Sequence, residues 1–159
     1  MIKNYLWIFF ISMVPLIELR GAIPVSQALQ MPIIPSYIVS IIGNMLPVPV
    51  IYFFARKVLE WGADKKFIGK IFTAILVKGT NAGQKIQGKA GKGFFIALFL
   101  FVGIPLPGTG AWTGTLAASL LGLSFKETVI AVILGVLLAG LIMMAGSFGL
   151  FSALFAISG

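Results

Sequence analysis

The chain contains no cysteine and no histidine, and only 10% of its 159 residues are charged. These absences remove disulfides, thiol chemistry and the usual ligands of a zinc site. They also remove histidine, the side chain most often used for proton transfer near neutral pH. Four carboxylates are present, Glu18, Glu60, Asp64 and Glu127, so any proton or cation chemistry must choose among them. A membrane hydrolase would need a nucleophile and base, or clustered carboxylates. The chain has no histidine, no cysteine and no clustered carboxylates, which argues against such a hydrolase, so it is expected not to be an enzyme and to need no cofactor or metal.

What is abundant is apolar: 59% of the residues are hydrophobic and the mean hydropathy is +1.08. A soluble domain carries about a quarter charged residues, so the composition predicts an all-α integral membrane protein. Nine of the twelve Lys and Arg residues lie between Arg56 and Lys92, which leaves uncharged blocks at 21–55, 93–125 and 128–159. One spanning helix needs about 20 apolar residues and two with a turn need roughly 45. Each block is too long for the first and too short for the second.

The segment Tyr5 to Val14 is apolar and is followed by Pro15. Ten to twelve residues reach about 15–18 Å, half a bilayer. A signal peptide would show small residues at its cleavage site, where this chain has Glu18 and Arg20. The pattern therefore predicts a re-entrant hairpin over 5–29, in which one half-helix descends to a Glu18–Arg20 turn and a second, from about Val25 to Leu29, returns. The motif Gln30 to Pro35 reads as a loop, and 36–55 as a span with a kink or break at 44–49, where Asn44, Pro47 and Pro49 fall. Residues 56–93 form a basic linker, placed in the cytoplasm by the positive-inside rule. Within it Phe67, Ile68, Ile71, Phe72, Ile75 and Leu76 recur at helical spacing. That predicts an amphipathic helix, either lying on the anionic leaflet or packed on the membrane domain. Gly79 to Gly93, with five glycines, reads as a loop. Inside it Gly83 to Ala90 has the spacing GxxxxGK but puts Ala90 where magnesium needs Ser or Thr, with no preceding strand, so no nucleotide or nucleic-acid binding is expected.

A second hairpin is predicted over 94–122. Its tip, Gly103-Ile-Pro105-Leu-Pro107-Gly108-Thr109-Gly110-Ala111-Trp112-Thr113-Gly114, holds two prolines and four glycines and cannot be regular helix. Ser124-Phe-Lys-Glu127 reads as a capping box that opens a span over 128–145, with Ala131, Gly135 and Ala139 forming a close-packing seam. Residues 146–159 make a last apolar segment. The halves resemble each other: Arg20-Gly21-Ala22 lies over Thr109-Gly110-Ala111, and Ile41-Ile42-Gly43 over Ile133-Leu134-Gly135. With the middle in the cytoplasm the two halves are inverted, the architecture of transporters whose broken helices meet near mid-membrane.

The motifs Glu18-Leu-Arg20-Gly21-Ala22-Ile23-Pro24 and Pro105 to Gly114 together resemble the small multidrug export protein family of bacteria and archaea. That family is in turn similar to the DedA (VTT-type) membrane proteins, which share paired re-entrant hairpins and are implicated in moving polyprenyl-phosphate and other lipids with proton coupling. DedA-type proteins carry further acidic and arginine residues in the second hairpin, and this chain has none there.

Charges in apolar surroundings are functional candidates. Arg20 forks well to phosphate or carboxylate. Glu18 would be pushed towards neutrality by burial and towards ionisation by Arg20, which would let it couple protons to transport. The competing reading is a buried ion pair that fixes the turn. The expected candidate substrate and proton site is Glu18, Arg20, Gly21, Pro24, Asn44, Pro105, Pro107, Gly108, Thr109, Gly110, Trp112 and Thr113. The expected function is a small, proton-coupled secondary transporter of an amphipathic molecule or a lipid phosphate. A DedA-like flippase and a structural membrane subunit are the alternatives. Expected partners are membrane lipids, protons, the substrate and a second copy in a homodimer, in the plasma membrane of a bacterium or archaeon.

Overall fold

A computed structural model describes residues 2–86 and 91–158, with side chains described outside 78–80, 82–86, 91–92 and 150–158. Every element among the described residues is helical: α1 (Ile2–Met13), α2 (Glu18–Ala28), α3 (Ile33–Met45), α4 (Pro47–Ala63), α5 (Gly69–Ile86), α6 (Gly91–Gly103), α7 (Ala111–Leu120) and α8 (Phe125–Ser158).

Two stretches are long and apolar enough to cross a membrane, Ile33–Ala63 and Phe125–Gly149. Only 28% and 33% of their most apolar windows are buried inside the protein. A core helix of a soluble protein would be mostly covered, and these present Ile34, Ile38, Ile42, Phe53 and Leu141 outward. Such surfaces need an apolar surrounding. By contrast α1 and α7 have 12 and 10 residues, about 18 and 15 Å at the helical rise.

The prolines act where the sequence predicts, with two exceptions, Pro35 and Pro24. Pro35, expected in a loop over 30–35, lies in the first turn of α3, where the N–H it lacks would have no helical partner. Pro15 ends α1, and Pro47 opens α4 after a break at Leu46. Pro24, however, lies inside α2, which starts at Glu18 rather than near Val25. Buried Leu19, Ala22 and Ile23 hold its first turns in place, so packing outweighs the hydrogen bond that Pro24 removes. Gly21 is likewise within this helix, where a Cβ would stand 2.3 Å from Ile17 Cγ2.

The expectation of a loop over 79–93 is corrected. The helix α5 continues to Ile86 and α6 opens at Gly91. A glycine in a helix costs about 1 kcal/mol, which an amphipathic stripe docked on its neighbour outweighs. That docking is visible at Gly62, where a Cβ would meet the Phe72 ring at 1.9 Å; α5 folds back on α4, and Phe67 and Ile71 face outward. The end of the GxxxxGK match, Gly88-Lys89-Ala90, lies outside the described residues.

The first arm of each hairpin packs on its own long helix, α1 on α3 and α6 on α8, while each returning arm also leans on the other half, α2 on α8 and α7 on α4. The main core lies where they meet: Leu19, Ile23, Val48, Val102, Ala111, Ala118, Ala131, Val136 and Ala139. The seam on α8 is used inside the chain. A Cβ at Gly135 would come within 2.7 Å of Val102, so a second copy could not use that face. Ser124 and Glu127 form the expected capping box: the Glu127 amide donates to Ser124 Oγ at 3.3 Å, and the Ser124 amide to Glu127 Oε2 at 3.3 Å.

Candidate functional site

Pro15 disfavours helix at the residue before it, so α1 stops at Met13 and residues 14–17 link it to α2. This link turns through positive φ at Leu16 (72°) and Glu18 (52°), a conformation that residues other than glycine adopt at a cost. The link between α6 and α7, residues 104–110, instead places glycines in that region, Gly108 at 81° and Gly110 at 143°.

These two tips touch. Glu18, 4% exposed, turns its carboxylate onto the start of α7: the Ala111 amide donates to Oε2 at 3.2 Å and the Trp112 amide to Oε1 at 3.0 Å. No side chain of its own hairpin caps α7. A helix N-terminus has free N–H groups and a partial positive charge, and the carboxylate of the other hairpin meets both. Gly110 is required at this contact, since a Cβ there would stand 2.3 Å from Glu18 Oε2.

Arg20 serves the opposite helix end. Its guanidinium donates to the carbonyls of Leu106 at 2.5 Å, Val102 at 3.3 Å and Ile104 at 3.5 Å, where α6 runs out. Thr109 Oγ1 donates to the Ile104 and Leu106 carbonyls at 3.0 and 2.9 Å. In return Trp112 Nε1 donates to the Met13 carbonyl at 3.1 Å, the last residue of α1. Three helix ends are thus closed by the opposite hairpin. Glu18 and Arg20 do not pair with each other; the ion pair formed among described side chains is Arg56–Glu60, 3.3 Å, at the exposed end of α4.

Beside the tips lies a cavity of about 640 Å³ between α4, the end of α1 and the start of α7. Glu18, Thr109, Trp112 and Thr113 of the expected site line it. Arg20, Gly21, Pro24, Asn44, Pro105, Pro107, Gly108 and Gly110 do not. Asn44 is buried on α3, and its Oδ1 lacks a partner among the described residues. Half of the wall is Leu46 and the α4 helix that follows it, through Leu46, Val50, Phe54 and Val58 on one row and Pro47, Ile51, Ala55 and Leu59 on the next. Sequence reasoning missed these residues. Their four-residue spacing is a readable signal, since such residues share one helix face.

Among the described residues, Glu18 is the one charged group on this wall. An apolar cleft with a single carboxylate suits a molecule with a lipophilic body and a cationic head. An anion finds no free partner there, because the Arg20 guanidinium is engaged by three carbonyls outside the cleft.

Residues 18–142 match the family described as "Putative small multi-drug export protein". The match begins at Glu18, at the exit of the first tip, and takes in the whole of the second, 104–110. No curated protein and no solved structure matches the chain.

Proposed function

The chain belongs to the small multi-drug export protein family, and from that premise we propose that it is an integral membrane exporter, rather than an enzyme, of amphipathic molecules with a lipophilic body and a cationic head. The observation that carries this reading is the apolar cleft with Glu18 as its one charge among the described residues. In this reading Glu18 holds the cationic head or a proton in turn, which couples export to proton entry. The two hairpins are re-entrant halves of an inverted repeat. Supporting this are the length of α1, too short to span, and the matched packing of α2 on α8 and α7 on α4. The basic segment at 56–92 lies on the cytoplasmic face of the plasma membrane, following its positive charge.

The test is reconstitution in proteoliposomes with an imposed proton gradient, using tetraphenylphosphonium and ethidium as probes. Gradient-dependent efflux is expected for the native chain and none for Glu18→Gln. Efflux that survives Glu18→Gln would remove Glu18 from the mechanism. Flipping of a polyprenyl phosphate without cation efflux would transfer the reading to a lipid flippase, and neither activity would leave a structural subunit.

A further inference from the structure

The covered face of α3 is polar. Ser36, Ser40 and Asn44 follow at four-residue intervals and are 0%, 0% and 2% exposed, so they stack on one side of the helix. Ser36 and Asn44 are eight steps apart, about 12 Å along the axis. The outward face of the same helix carries Ile34, Ile38 and Ile42, each more than half exposed. Ser12 of α1 meets this face, since a Cβ on Gly43 would stand 2.1 Å from its Oγ.

Part of this stripe is satisfied within the chain: Ser36 Oγ donates to the Pro32 carbonyl at 2.8 Å and Ser12 Oγ to the Phe9 carbonyl at 2.7 Å. Ser40 Oγ and Asn44 Oδ1 have no partner among the described residues. A buried polar atom left unpaired costs about 1–3 kcal/mol, and buried water is the usual remedy. One more acceptor is freed beside them, because Pro47 has no N–H to donate to the Gly43 carbonyl four residues back.

The direction of the stripe follows from the topology. The helices α2 and α3 are joined by residues 29–32 and pack together, so they run antiparallel. Ser36 is near their joined end, and Asn44 is at the end where α2 begins with Glu18. The same level is marked independently by Leu46 and Pro47, which share the cleft wall with Glu18. None of the three stripe residues lines the cleft.

We propose that Ser36, Ser40 and Asn44 line a hydrated path, separate from the substrate cleft, that carries water and its protons from one membrane face to the Glu18 end of the first hairpin. Only the cargo of the path rests on the proton-coupled reading; its hydration is measured without transport. With the basic middle segment inside, the path opens outside, where an exporter driven by proton entry takes its protons.

The native chain has no cysteine, so single-cysteine variants need no prior engineering. Ser36→Cys, Ser40→Cys and Asn44→Cys, with Ile38→Cys and Ile42→Cys as lipid-facing controls, are reconstituted and exposed to N-ethylmaleimide. Maleimide reacts with the thiolate, which forms only where water reaches, so Ser40→Cys and Asn44→Cys are expected to react at least about tenfold faster than the controls despite being buried. Ser→Cys is nearly isosteric, and melting of each variant in detergent identifies any that fails to fold. Reaction at Ser40→Cys no faster than at Ile42→Cys overturns the path whatever the transport assay reads. Fast labelling in a chain without cation efflux upholds the path and rejects the export reading instead.

Discussion

The turn between α1 and α2 spans residues 14–17, carries Glu18 and Arg20 at its exit and bends through Leu16 and Glu18 at positive φ. The turn between α6 and α7 spans 104–110, has no charge and bends through Gly108 and Gly110. The first tip is rich in side-chain charge, and the second is rich in unpaired backbone: N–H groups at the start of α7 and carbonyls at the end of α6. Each supplies what the other lacks, a carboxylate for the N–H groups and a guanidinium for the carbonyls. The absence of acidic and arginine residues from the second hairpin is thereby accounted for, because its helix ends are capped from the first. The charged tip also bounds the cleft through Glu18, while Arg20 is consumed in holding the tips together.

Breaking the contact from the uncharged side has the largest expected effect. Gly110→Ala forces a Cβ against the Glu18 carboxylate at a backbone angle that alanine avoids. A loss of about 3 kcal/mol or more is expected, read as little folded protein or a large drop in melting temperature in detergent; a melt within a degree or two of the native one would refute the interlock. From the charged side, Glu18→Ala strands the Ala111 and Trp112 amides and should cost about 2–3 kcal/mol, whereas Glu18→Gln retains an acceptor and should cost about 1 kcal/mol while still stopping proton-driven efflux. Equal melting of these two variants would mean that Glu18 does not cap α7.

Arg20→Lys keeps the charge and loses the fork that reaches three carbonyls. About 1–2 kcal/mol is expected, and cation efflux should persist; its disappearance would show that Arg20 acts on substrate and not only on α6. Trp112→Phe removes the indole donor to Met13 together with part of the ring's bulk, a change of about 1 kcal/mol for the hydrogen bond. Since Trp112 also lines the cleft, a weaker apparent affinity for tetraphenylphosphonium with nearly unchanged melting is the expected signature. A larger melting shift than that of Arg20→Lys would mean that the indole, and not the guanidinium, is the stronger clasp between the hairpins.

Local patterns reveal several of these features. A carboxylate and a guanidinium stand out in an apolar third of the chain, and Ser124 with Glu127 satisfies a cap within four residues. The proline–glycine run breaks the helix over 104–110, although Ala111–Gly114, expected in the same break, instead open α7. Other features stay hidden because they depend on what packs nearby. Pro24 reads as a breaker until Leu19, Ala22 and Ile23 are buried around it. The glycines at 79 and 83 read as a loop until α5 lies on α4. The cleft wall from Leu46 to Leu59 straddles the 55–56 boundary, where charge begins and the apolar span reads as ending, so the boundary cuts its stripe in two.

The amino-acid sequence alone determined the environment, the segregation of positive charge and the places where helices must break, since hydropathy, charge and missing proline N–H groups act within a few residues. Only the tertiary structure decided the partners of Glu18 and Arg20. Two charges two residues apart could pair locally or reach helix ends more than 80 residues away. The choice rests on where α6 and α7 leave their polar backbone groups, and that is set by the packing of one hairpin against the other.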